Sequence, residues 1–95
     1  MSRELLVVFS YDISAPKQRR KAARILEQVA TRVQGSVFEA RLKHEHAMQI
    51  AQQVEREMSR SDSLRVYVIA ANSEPKCYVS YGAAPLEERE GFWLL

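Results

Sequence analysis

Ninety-five residues, 46% of them hydrophobic and 27% charged, with three glycines and three prolines, describe one globular domain and exclude fibrous, low-complexity and disordered chains. The single cysteine, Cys77, excludes an internal disulfide, and no apolar run approaches the roughly 18 residues of a membrane span or has the flanks of a signal peptide, so a cytoplasmic protein with no membrane partner is expected. The net charge of +2 divides unevenly, with 12 basic and 8 acidic side chains in residues 1–71 against 2 and 4 in residues 72–95, an excess on the body that favours an anionic partner.

Leu5-Leu6-Val7-Val8-Phe9 is a continuous apolar run with β-branched and aromatic members, the pattern of a central strand covered on both faces. Ser14 offers a cap ahead of Pro16, and Ala22, Ile25, Leu26, Val29 and Val33 recur at helical spacing, which predicts a helix over 15–33 with a basic outer face. The ten residues from Val33 to Leu42 predict one bent strand or a very tight hairpin, with Gly35 as the break. From His44 to Arg60, Ala47, Ile50, Ala51, Val54 and Met58 predict a second helix. Leu64, Val66, Val68 and Ala70 then alternate with Arg65, Tyr67 and Ile69, the two-residue period of a strand. Asn72-Ser73-Glu74-Pro75 reads as a linker, Lys76 to Gly82 as a further short strand, and Phe92-Trp93-Leu94-Leu95 as an apolar end that needs cover.

This order predicts an α/β chain of the α+β kind, a ferredoxin-like split βαβ sandwich over residues 1–71. Residues 72–95 would form a C-terminal extension with one or two short strands. Both helices would lie on one sheet face and leave the other for a partner. A chain of this size buries only about 60–65% of the surface its unfolded form exposes, so a homodimer would help it.

Asp12 closes the first strand, where a carboxylate projects from a sheet end toward loops and ligands. It could ligate a metal, or it and Ser14 could cap the following helix. One carboxylate is a poor metal site alone, but magnesium is often held by one or two carboxylates with waters and phosphates, and a twofold axis beside Asp12 would supply the second. Lys17, Arg19, Arg20, Lys21 and Arg24 place five cations in the first half of a helix, where they oppose its dipole. A phosphate backbone suits them, because each neutralised phosphate releases counterions and arginine grips phosphate bidentately; a plain solvated face is the alternative. His44 and His46, two apart on a helix, do not share a face and read as surface residues. Cys77 has no neighbour that would activate a thiolate.

The segments from Leu6 to Ser14, Arg19-Arg20-Lys21, Arg32-Val33-Gln34-Gly35-Ser36-Val37-Phe38-Glu39 and Asp62-Ser63-Leu64-Arg65-Val66-Tyr67 together resemble the small CRISPR-associated endonuclease family. That family is the minor subunit of the CRISPR spacer-acquisition complex. The resemblance covers residues 5–69. It implies a homodimer with two sheets face to face, and one magnesium or manganese ion shared by the two Asp12 carboxylates, with Asp12 as the catalytic residue of an endonuclease that cuts RNA or DNA. It further implies nucleic-acid contacts or an effect on activity at Tyr11, Arg19, Arg20, Arg32, Ser36 and Phe38, to which the basic cluster of the helix adds Lys17 as a nucleic-acid contact. The same resemblance implies a bridge between dimers of the CRISPR-associated integrase around spacer duplex DNA, with Phe92, Trp93, Leu94 and Leu95 contacting the integrase or completing the dimer's own sheet. A toxin-like ribonuclease on the same fold is the alternative. The chain departs from the family at Gly35, where relatives often carry a large side chain, and after Arg65, where the strand runs on instead of stopping at a proline.

Overall fold

Four strands and two helices form over the described part of the protein, residues 3–80 of a computed structural model. They are β1 (Leu5–Asp12), α1 (Pro16–Glu27), β2 (Thr31–Gln34), β3 (Val37–Leu42), α2 (His44–Glu55) and β4 (Ser63–Ile69), followed by a 3-10 helix, Ala71–Lys76. The sheet order is β2-β3-β1-β4, and every neighbouring pair is antiparallel. β1 and β2, joined by α1, are therefore separated by β3, and β3 and β4, joined by α2, by β1. This is the expected ferredoxin-like sandwich.

Strand alternation divides the sheet into two unlike faces. Val7, Phe9 and Tyr11 of β1, Phe38, Ala40 and Leu42 of β3, and Val66 of β4 share one face and pack against Ala22, Ala23 and Leu26 of α1 and Ala47, Ile50 and Val54 of α2. Leu6, Val8, Ser10 and Asp12 share the helix-free face with Val37, Glu39 and Arg41 of β3 and Ser63, Arg65, Tyr67 and Ile69 of β4. At one end of that face Leu6 is covered by Ile69, Cys77 and Val79. The first strand is thus apolar on both sides because both are covered there, one by helices and one by the chain after β4.

Three expected elements form differently. α1 stops at Glu27, and Val33 belongs to β2, because Val29 reaches the core from the turn after the helix while β-branched Thr31 and Val33 suit a strand. Of the two forms expected for Val33 to Leu42 the tight hairpin is the one that forms, but it begins earlier, at Thr31, with Gly35-Ser36 as its two-residue turn and a register irregularity between Arg32 and Gln34. α2 ends at Glu55, and Met58 packs on the core from the turn beyond it.

The linker expected at 72–75 is instead a 3-10 helix anchored by Glu74, whose carboxylate accepts hydrogen bonds from Arg41 Nη1 at 3.0 and 3.2 Å. Glu74 is buried, and Arg41 lies in the sheet beside it. Residues 77–80, where a short strand was expected, belong to no helix or strand. Phe92, Trp93, Leu94 and Leu95 lie outside the described residues. Among the described residues no helix is long and apolar enough to cross a membrane.

Candidate nucleic-acid interface

β1 runs past β3 at the end where the candidate residues gather. Ser10 pairs with Val37, the Tyr11 amide donates to the Ser36 carbonyl at 3.1 Å, and Asp12 pairs with Ser63 of β4. Asp12 therefore stands between the Gly35-Ser36 turn and the start of β4. Successive side chains of a strand point to opposite faces, so Tyr11 is buried on the helix side while Asp12 is exposed on the helix-free side.

The helix side of this strand end opens into a basic groove of about 360 Å³ between α1 and the β2–β3 hairpin. Its wall is built from Tyr11, Arg19, Arg20, Arg24, Arg32 and Gly35, with Glu27 as its one acidic group. Arg20 and Arg24 lie four apart on α1 and so share a helix face, which Lys17 extends toward the N-terminus. Arg32 reaches the groove from β2, its guanidinium carbon 5.1 Å from the Phe38 ring centroid and its Nη2 3.8 Å from Glu27 Oε2. That ion pair is half-exposed on both sides and therefore weak, which leaves Arg32 able to exchange Glu27 for a phosphate. Gly35 has open space where a Cβ would stand, so the missing side chain widens the groove.

The expected contact residues separate in this arrangement. Arg20 and Arg32 face the groove, and Ser36 sits in the turn beside it. Phe38 is wholly buried, stacked on Tyr11 with ring centroids 6.1 Å apart and an interplanar angle of 28°. Its influence on the groove passes through the Arg32 guanidinium it carries. Arg19 is turned toward its own chain, with Nη1 donating to the carbonyls of Ile13 and Ser14 at 3.1 Å each.

The alternative role of Asp12 and Ser14 as helix caps is not realised. α1 begins at Pro16 behind Ala15, with no side-chain cap, and the fixed φ of proline suits a first helical position. Ser14 is held through its backbone, its amide donating to Asp62 Oδ1 at 3.2 Å. The amides of Ser59 and Ser14 and the Ser59 hydroxyl hold the Asp62 carboxyl below the usual range. On the helix-free face burial pushes the Glu39 carboxyl up, with Arg41 opposing.

Among the described residues no three His, Cys, Asp or Glu side chains converge on one point. Asp12 fits a divalent ion as half of a site: it is exposed, it is in no ion pair among the described residues, and it lies on the face that a second sheet could meet. Gly35 and Asp62 belong to this region without having been expected as site residues, while Arg24 was expected among the five α1 cations. Arg24 was legible as a fourth-residue neighbour of Arg20, whereas only the fold brings Asp62 to Ser14.

A family profile described as CRISPR associated protein Cas2 matches residues 5–76. The chain is 33% identical over 87 residues to "CRISPR-associated endoribonuclease Cas2 2" of Synechocystis sp., an alignment covering 90% of this chain and 92% of that protein. Among solved structures it resembles the hypothetical protein TT1823 from Thermus thermophilus, with TM-score 0.76, 28% identity, and coverage of 88% of this chain and 99% of that one. It has the fold of a chain in a partial Cas6-RT-Cas1–Cas2 complex, with TM-score 0.68, 24% identity, and coverage of 90% and 93%. A profile match over most of the sequence, on the same strand-end and hairpin segments that build this interface, places the chain in the CRISPR-associated Cas2 family.

Proposed function

We propose that this protein is a dimeric nucleic-acid-binding subunit of CRISPR spacer acquisition, which bridges the Cas1 integrase and carries a metal-dependent phosphodiesterase centre at Asp12. Family membership and the fold shared with a chain of a Cas1–Cas2 complex support the role in acquisition. The observation that carries the site is the position of Asp12: an exposed carboxylate at a strand end, on the helix-free face and around the strand from the basic groove.

Two copies meeting through their helix-free faces would bring two such carboxylates together, enough for one magnesium or manganese ion completed by water and phosphate oxygens. Such an ion polarises a phosphodiester and activates water for hydrolysis. The chain's own part is to hold the strand: Lys17, Arg20, Arg24 and Arg32 neutralise the backbone along α1 and β2, while Arg32 is kept in place by the Phe38 ring. RNA and spacer duplex DNA present the same phosphates to this groove.

Integration and cleavage assays on wild type and Asp12→Ala test the proposal. Cleavage in magnesium should be lost in Asp12→Ala, while the dimer persists and spacer integration with Cas1 continues. Undiminished cleavage would remove Asp12 from the chemistry; failure of wild-type protein to support integration would remove the role in acquisition. Deleting Phe92 to Leu95 should weaken Cas1 binding, and unchanged affinity would assign the tail to the dimer alone. Growth arrest on expression without any CRISPR partner would favour the toxin-like ribonuclease.

A further inference from the structure

The loop that follows Asp12 is held from outside itself. Ile13 is buried, but Ser14 and Ala15 are exposed, and the helix they lead into has no side-chain cap. Two distant side chains take the loop's polar backbone groups instead. Arg19 Nη1 donates to the carbonyls of Ile13 and Ser14, both at 3.1 Å. Asp62, from the turn before β4, accepts the Ser14 amide on Oδ1 at 3.2 Å. Its other oxygen is fixed in turn by the Ser59 amide at 2.9 Å and the Ser59 hydroxyl at 3.1 Å. Both backbone groups of Ser14, two residues beyond Asp12, are therefore occupied, one by a cation from α1 and one by an anion from the α2–β4 turn.

From this geometry we infer that Arg19 and Asp62 are positioning residues for Asp12, fixing the backbone that aims its carboxylate. The inference rests on the reading of Asp12 as a metal ligand. It gives Arg19 a task besides lining the groove, because its Nη1 serves the two carbonyls of this loop. It also gives a role to the Asp62-Ser63-Leu64 segment, whose acidic first residue has no part in the groove. An exposed ligand whose side chain has no hydrogen bond among the described residues depends on its backbone for direction, and outer partners of metal ligands typically govern affinity by about 10–100-fold.

The test is Mn2+ affinity by titration calorimetry on the full-length dimer, beside oligonucleotide affinity across a salt series. Both clamps can be cut with charge and hydrogen bonding separated. Arg19→Lys keeps the cation and loses the forked donor; Asp62→Asn loses the charge and keeps one oxygen for the Ser14 amide; Asp62→Ala loses both. Arg19→Lys and Asp62→Ala should weaken Mn2+ binding at least tenfold, and Asp62→Ala, at a residue outside the groove, should do so with oligonucleotide affinity and its salt slope within about twofold of wild type. Asp62→Asn should lie nearer to wild type than to Asp62→Ala, and exchange of the Ser14 amide should quicken in Asp62→Ala. Wild-type Mn2+ affinity in both clamp variants, alongside its loss in Asp12→Ala, would overturn this inference alone. Equal losses in Asp62→Asn and Asp62→Ala would make the effect one of charge and overturn it too. Unchanged binding in Asp12→Ala would overturn the metal reading itself, and this inference with it.

Discussion

Glu39 is the residue whose titration the fold perturbs in the direction that costs stability. Its carboxyl is raised because burial on the helix-free face penalises the charged form more than nearby Arg41 favours it. The folded state therefore holds this proton more tightly than the unfolded chain. Its contribution to stability is complete below the ordinary value of 4.5 and is lost as pH rises through the raised value. Asp62 has the opposite sign: its lowered carboxyl contributes above the ordinary 3.8, and that contribution is lost as pH falls through the lowered value. Urea denaturation of Glu39→Gln across pH should abolish the decline just above pH 4.5 and leave the acid limb unchanged. An unaltered slope there would mean that another group titrates. At this scale Asp12 was legible, since a carboxylate closing an apolar strand is conspicuous in a linear pattern. The opposite facing of Tyr11 and Asp12 follows from strand alternation alone, but which face the helices cover does not. Tyr11, expected at the contact surface, is buried with the core and also forms part of the wall of the basic groove.

Among the elements, the hairpin bears on the site and the 3-10 helix on the far end of the helix-free face. Phe38, the second residue of β3, supports both the Tyr11 ring and the Arg32 guanidinium, so Phe38→Ala should cost roughly 3–5 kcal/mol and reduce oligonucleotide affinity together. Chemical denaturation and anisotropy would read the two effects; full stability would contradict the packing described. Glu74 holds the chain after β4 to the sheet through Arg41. Replacing Glu74 by Ala leaves a largely buried guanidinium with one strong partner fewer, at the low end of the roughly 3–5 kcal/mol typical of a broken buried pair. Arg41→Met with Glu74→Leu should recover most of that loss in thermal melts, because an apolar pair avoids the desolvation cost. Helix and strand types followed from periodicity, whereas their ends did not. Val29 and Val33 keep helical spacing although one packs on the core from a turn and the other lies in a strand beside Val37 and Glu39, away from that core. The Asn72–Pro75 stretch is polar enough to read as a linker, and only the approach of Arg41, distant in sequence, makes it structure.

At the scale of the molecule the helix-free face is the open question of area. It exposes Tyr67 at 50% beside Val8, Val37 and Ser10, and it carries Asp12 at its edge. The proposed dimer predicts that Val8→Asp with Tyr67→Glu yields a folded monomer by sedimentation velocity and circular dichroism, with Mn2+ binding lost because each Asp12 is left alone. A persistent dimer would place the contact elsewhere. The linear sequence by itself determined the order of elements, the ferredoxin-like class, the basic stripe of α1 and the strand-end carboxylate, because each is written in local periodicity or in a short run of residue types. Tertiary structure decided which face each strand residue occupies, that Arg32 and the α1 arginines line one groove, that Arg19 Nη1 holds the Ile13 and Ser14 carbonyls, and that Asp62 reaches Ser14. Those facts depend on contacts between residues far apart in the chain, which composition and spacing do not encode.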